Sequence, residues 1–266
     1  MADVFLKLRS FGVTTLSDSV GNNFVGLGAK ALGLLVFVAA RAPTAVSREE
    51  LVELFWERAD PAMGRGSLRQ ALRRIKKTIG AERFAQALEV NDRFVALRPG
   101  AVEVDIDLLE ALASETDADK LAVLLDYCQG DFLADNAARA VAFQDWAAER
   151  RSYYQDLIIG AMSRLGSADL GANKPERARK AAEKIIAIDP LHEQAHEIII
   201  RTLLASGSRG QARNHYERFR REVLTELGAE PGFQLSDLDT PDGPRITVAE
   251  AEDSPNKKSQ PVIAVM

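Results

Sequence analysis

The sequence predicts a mainly α fold, with an N-terminal winged helix-turn-helix carrying small β-sheets and an α-helical tetratricopeptide-like repeat domain behind it. Three observations carry this prediction. Short strands, an apolar helix, a capped helix, a basic helix and a hairpin follow one another within the first 100 residues. From Asp105 onward the texture changes to Ala, Leu and charged residues with few β-branched pairs. Within that second part, Lys174-Pro175-Glu176-Arg177-Ala178 aligns with Ser208-Arg209-Gly210-Gln211-Ala212 at a 34-residue offset, the tetratricopeptide period with its small-residue position.

Val4 to Arg9 and Gly12 to Leu16 have β character, as do Phe24-Val25 after the turn residues Gly21-Asn22-Asn23, so short antiparallel strands are expected there. The glycine run GNNFVGLGAK is not a phosphate loop, because Lys30 is followed by Ala31 and the spacing is wrong. Ala29 to Ala42 is apolar on all sides, as a buried helix is, with Pro43 just beyond. Ser47-Arg48-Glu49-Glu50 forms a capping box that opens a second helix through Leu51, Leu54, Phe55 and Trp56. Asp60-Pro61 reads as a break.

The next stretch, Gly64 to Gly80, holds six basic residues and no acid. On a helical wheel Leu68, Ala71, Leu72, Ile75 and Ile79 share one side. Arg65, Arg69, Arg73 and Lys76 form the opposite strip, flanked by Gln70, Arg74 and Lys77. An ordinary surface helix interleaves Glu with Lys, and this one does not. Arg offers a planar fork to guanine edges or phosphate, Lys a mobile charge, and Gln a donor–acceptor pair for adenine, so the arc suits a DNA groove. Ala87 to Val90 and Arg93 to Arg98 flank Asn91-Asp92 as a hairpin. In a winged helix-turn-helix the third helix enters the major groove and the hairpin lies on the backbone. Arg69, Gln70, Arg73 and Arg74 are the principal candidates for base-edge or phosphate contact. Lys30 and Arg93 each read equally as a phosphate contact or as a solvated side chain.

Beyond Val104-Asp105, which marks the boundary, helices are expected over Asp105 to Ser114, Asp119 to Cys128, Ala138 to Leu165, Pro175 to Ile188, His192 to Ala205 and Gly210 to Leu227. Such helical hairpins need neighbours to bury their faces. The expected layout is therefore 1–100 winged helix, 101–235 helical repeats and 236–266 a disordered tail or truncated linker, the last segment being polar and Pro-containing until Pro261 to Met266. That apolar end reads as the first strand of a further domain.

The 266 residues carry a formal net charge of −5, with 46% hydrophobic and 27% charged residues, a normal globular balance. The charge is split. Residues 1–100 hold fifteen Lys or Arg against ten Asp or Glu, leaving nineteen against twenty-nine for the remainder. A basic module joined to an acidic one has this asymmetry, and nucleic-acid affinity follows the local patch and not the average. No apolar run is long enough to span a membrane and MADVFLKLRS has no export core, so a cytoplasmic location is expected. The single Cys128 excludes an internal disulfide and a cysteine-based zinc site. His192 and His196 are four apart on a helix, with His215 later, but no carboxylate or cysteine completes a metal site at a definite spacing, and packing is the expected role. Trp56 and Trp146 read as core anchors. No catalytic constellation and no cofactor site is present in the pattern.

Leu27 to Leu32, Val46 to Trp56 and Leu68 to Lys77 in the first part, with Gly130-Asp131-Phe132-Leu133, Trp146 to Arg150, Asp189 to His196, Ala212 to Tyr216 and Glu226 to Pro231 in the second, carry a resemblance. From Leu6 to about Leu238 the chain resembles the antibiotic-regulator (SARP-type) family of bacterial transcriptional activators, a response-regulator-type winged helix followed by the bacterial transcriptional activator domain. The resemblance implies binding of double-stranded promoter DNA, pairing as a homodimer on DNA and contact with RNA polymerase through the helical repeats. The family's third helix often carries a Gln-Thr pair where this chain has Arg69-Gln70, so no target sequence is implied. The competing readings are a tetratricopeptide-type protein-interaction scaffold and the regulatory front half of a longer sensor or ATPase.

Overall fold

The computed structural model describes residues 5–136 and 138–238. Strands β1 (Leu6–Arg9) and β2 (Thr15–Asp18) are antiparallel, with Leu8 opposite Leu16. Helix α1 (Ala29–Ala40) is apolar all round because it is covered all round, with eight of its twelve residues buried. The two-residue strand β3 (Val46–Ser47) runs straight into α2 (Arg48–Trp56), and Ser47 Oγ accepts from the Glu50 amide at 3.0 Å, the cap that the sequence announces. Helix α3 (Pro61–Ile79) starts three residues before the basic stretch. Asp60 and Pro61 do not merely break the chain: Asp60 caps α3 by accepting from the Ala62 amide at 2.9 Å, and Pro61 takes the first turn, where no amide proton is needed.

Helix α4 (Ala81–Ala87) then intervenes, an element the periodicity does not signal, before the hairpin of β4 (Leu88–Val90) and β5 (Phe94–Leu97). β3 pairs with β5, giving a three-stranded wing in the order β3-β5-β4. Strand β6 (Val102–Val104) joins β1 in parallel, Leu6 opposite Val102, and completes a first sheet ordered β2-β1-β6. What reads as a boundary segment is thus the third strand of the N-terminal sheet. Phe24-Val25 forms no strand; a single bridge joins Asn23 to Ser17.

The helical part comprises α5 (Asp105–Leu112), α6 (Ala118–Leu121), α7 (Leu124–Tyr127), α8 (Val141–Gly171), α9 (Pro175–Ile188), α10 (Glu193–Ala205), α11 (Arg209–Leu227) and α12 (Leu235–Leu238). Helices α8 to α11 pack each on the next, as stacked helical hairpins do. Helix α8 continues six residues past the expected end at Leu165. Within this extension Gly166 lets α10 approach closely, since a Cβ there would lie 2.9 Å from Ile198 Cδ1. Residues 239–266, most of the expected tail, lie outside the described residues.

One hydrophobic core runs without interruption from Leu6 to Ile199. Phe143 and Trp146 of α8 enter the winged-helix core, with ring centroids 4.6 Å from Phe55 and 4.8 Å from Phe37 respectively. Gly33 on α1 makes room, because a Cβ would sit 2.8 Å from Phe143 Cζ. The Glu57 carboxylate, just after α2, accepts from the Ala142 and Val141 amides at 3.0 Å each and so caps α8; those amides hold its carboxyl below the usual range. On the other flank, buried Asp105 accepts from the Ser10 amide (2.6 Å), the Ser10 hydroxyl (2.7 Å) and the Phe11 amide (3.1 Å).

Candidate nucleic-acid interface

Helix α3 divides its residues by face. Gly64, Leu68, Leu72, Ile75 and Ile79 are buried, while Ala71 is half-buried at the edge. Gly64 is a close-approach position: a Cβ would fall 2.5 Å from Val52 Cγ1, so α2 and α3 touch backbone to side chain. Arg65, Arg69, Gln70, Arg73, Arg74, Lys76 and Lys77 are all exposed. At about 1.5 Å rise per residue, Arg65 to Lys77 spans about 18 Å, and the helix is slim enough for a B-DNA major groove.

What distinguishes this face is that its charges are unpaired. Among the described residues, Arg65, Arg69, Arg73, Lys76 and Lys77 form no ion pair and donate no side-chain hydrogen bond to protein. Arg74 differs: its Nε donates to the Gly26 carbonyl at 2.9 Å, tying the loop before α1 to α3. Arg65 stands at the edge of the strip, where it also borders a cleft of about 290 Å3 with Val52, Glu53, Trp56 and Pro61. Lys76 and Lys77 lie in the last turn, where cations also favour the helix C-terminus.

Lys30 and Arg93 fall differently. Lys30 is half-buried, its Nζ donating to the Phe55 carbonyl at 2.8 Å and standing 5.2 Å from the Trp56 ring centre. Its ammonium is engaged in joining α1 to α2. Arg93 sits exposed at the β4–β5 turn, and among the described residues only its backbone is bonded, the amide donating to Asn91 Oδ1 at 2.8 Å. Arg48, which periodicity marks only as an ordinary first-turn residue, reaches that same turn: its Nη1 donates to the Asn91 carbonyl at 2.9 Å.

The histidines pack. His196 stacks on Phe219 at 3.9 Å, and its Nδ1 lies 2.9 Å from His215 Nε2. Among the described residues, no group of three His, Cys, Asp or Glu is placed to hold a metal ion. No described helix is long and apolar enough to cross a membrane.

The family model described as the bacterial transcriptional activator domain matches residues 92–240, more than half of the chain. The chain belongs to the bacterial transcriptional activator domain family. The SARP-type resemblance read from the sequence stands. This activator-domain protein is similar to Regulatory protein AfsR of Streptomyces griseus, 24% identical over 212 residues that make up 77% of this chain and 21% of AfsR. It therefore spans about a fifth of that relative's length. Among solved structures it is similar to Mycobacterium tuberculosis EmbR in complex with a low affinity phosphopeptide, with a TM-score of 0.63 and 17% identity, over 88% of this chain and 64% of EmbR. At that identity the likeness concerns the fold, a small-sheet N-terminal part followed by a helical one.

Proposed function

We propose that this activator-domain protein is a sequence-specific DNA-binding transcriptional regulator in which α3 enters the major groove of promoter DNA. The observation that carries this reading is the exposed face of α3: Arg69, Gln70, Arg73 and Lys77 point outward with no internal partner among the described residues, on a helix whose other face is fixed by burial. Unpaired, exposed cations on a rigid element release counterions when they meet phosphate, and the forked Arg and amide Gln can read base edges. Arg65 and Lys76 extend the strip at its two ends, Arg74 combines a structural bond with an exposed charge, and Arg93 lies on the flanking wing. Lys30 contributes through α2 and not by direct contact.

In this reading residues 1–100 form the winged helix, whose sheet is completed by β6 at the start of the next segment, and 101–235 form the repeat array that pairs protomers on DNA or meets RNA polymerase. Ser236 to Leu238 belong to α12, and the rest of 236–266 lies outside the described residues. Activation is the sign of regulation that the family name implies. Catalysis has no part in it, and work on promoter DNA implies the cytoplasm.

The test is a fluorescence-anisotropy titration of the purified chain against pooled genomic fragments at two salt concentrations, followed by sequencing of the retained DNA. Enrichment of a short repeated motif, with affinity falling steeply as salt rises, is the expected result. Salt-sensitive binding with no motif enriched leaves only a basic patch, and binding to a protein with none to DNA selects the scaffold reading.

A further inference from the structure

We infer that Arg48 is a positioning residue for the wing: its side chain fixes the turn that carries Arg93, and so sets that contact with DNA. The inference rests on the reading of α3 and the wing as the DNA-binding surface.

Arg48 is at once the residue after β3 and the first residue of α2. Its backbone amide donates to the Arg93 carbonyl at 2.9 Å, which carries the β3–β5 ladder one step beyond the Ser47–Phe94 pair. Its guanidinium crosses to the other foot of the turn, Nη1 to the Asn91 carbonyl at 2.9 Å. Asn91 closes the turn from within: Oδ1 accepts from the Arg93 amide at 2.8 Å and the Phe94 amide at 3.0 Å, and its own amide donates to the Phe94 carbonyl at 3.1 Å. A single residue thus bonds both feet of the tip.

A short hairpin is marginal by itself and its tip samples many orientations. Anchoring both feet to α2 removes that freedom, and α2 is in turn packed on α3 through Val52 and Gly64. The wing tip and the basic face of α3 therefore share one frame. A contact made from a preorganised side chain loses less entropy on binding than one made from a mobile tip. Arg48 acts through Arg93 in this scheme and need not touch DNA itself.

The experiment uses the full chain with Arg48→Ala, Arg93→Ala and the double variant, and the promoter fragment retained by wild type as probe. Affinity is measured across a salt series, and amide hydrogen exchange is followed at Arg93 and Phe94 in the free protein. Arg48→Ala should weaken DNA binding about three- to tenfold, the scale of one ordinary hydrogen bond. It should speed exchange at the Arg93 and Phe94 amides, and it should add nothing further in the Arg93→Ala background. If the two losses multiply in the double variant and each removes about one unit of salt slope, Arg48 is an independent phosphate contact and the inference fails. Unchanged exchange at Arg93 and Phe94 also overturns it. If both wing variants bind like wild type while Arg69→Ala is weakened, the wing is not on DNA: the inference falls and the α3 reading survives. Loss of DNA binding by wild type under every condition is the separate failure of the functional reading itself.

Discussion

Two sets of arginines in this chain look alike in sequence and are used in opposite ways. On α3, Arg69 and Arg73 stand exposed with no carboxylate partner among the described residues, whereas on the array Arg177, Arg179, Arg201 and Arg220 each have one. Arg179 lies within reach of Glu176 and Glu183, Arg201 of Glu197, and Arg220 of Glu217 and Glu230. Arg177 goes further: Nε and Nη2 grip the wholly buried Asp169 at 2.5 and 2.7 Å, and Nη1 takes Asp119 at 2.6 Å, which raises the guanidinium pKa. A cation already satisfied within its own fold has little left to offer an outside phosphate. The difference separates an electrostatic surface that is structural from one that is available.

Removing an arginine should therefore change different properties in the two regions. The largest effect is expected at Arg177→Ala, which strands a buried carboxylate; it should cost about 3 kcal/mol in urea unfolding, while the folded fraction binds DNA as wild type does. A fall in DNA affinity at full folding would erase the distinction. Next come Arg69→Ala and Arg73→Ala, each expected to weaken promoter binding by about 1–2 kcal/mol and lower the salt slope by about one, with an unchanged unfolding midpoint. Arg179→Ala is the matched control, since an exposed ion pair contributes only about 0.2–1 kcal/mol to stability and nothing to DNA binding.

A smaller effect belongs to pH and to the array alone. His196 Nε2 lies 2.9 Å from the Pro190 carbonyl and must donate to it, so Nδ1 accepts from His215 Nε2, and His215 Nδ1 is left to accept from Arg218 Nη2 at 3.3 Å. Both rings are held neutral. Burial first, then His196 and Arg218, bring the His215 pKa down to about 4, and burial lowers His196 against the pull of the Pro190 carbonyl and Glu222, with His192 and Arg218 acting downward. The unfolded chain takes up these protons near pH 6.5 and the folded chain only well below it. The contribution to stability is complete above about pH 6.5 and is lost as pH falls toward about 4. With His196 buried and His215 half-buried, the loss should be at least about 1 kcal/mol, read as a lower urea midpoint at pH 4.5 than at pH 7.5 and flattened by His215→Gln.

Legibility from sequence followed the range of the interactions. Helices α9, α10 and α11 were readable to within a residue, because an apolar period and its breaks are local, and the cap at Ser47 acts over three residues. Strand β6 was not, since three residues pairing with β1 some 95 positions away leave no local trace. Helix α4 is too short to show a period. The exposed face of α3 followed from its wheel, but the internal partners of Lys30 and Arg74 lie 25 and 48 residues off, and that of Arg48 lies 43 off. Nothing near those residues in the chain marks them as engaged.

Helix α8 has a mechanical side. Its first turn is capped by Glu57 and wedged against Phe55 and Phe37, and it then runs 31 residues, about 46 Å at 1.5 Å per residue, into the array. It is a lever with its pivot inside the winged helix. A tilt of about 5° at the pivot moves the far end by about 4 Å over that length, more than the reach of a hydrogen bond. In the proposed reading, a partner bound on α9 to α11 would feel the angle at which the head is seated, and a small reseating of the head would be enough to make or break that contact.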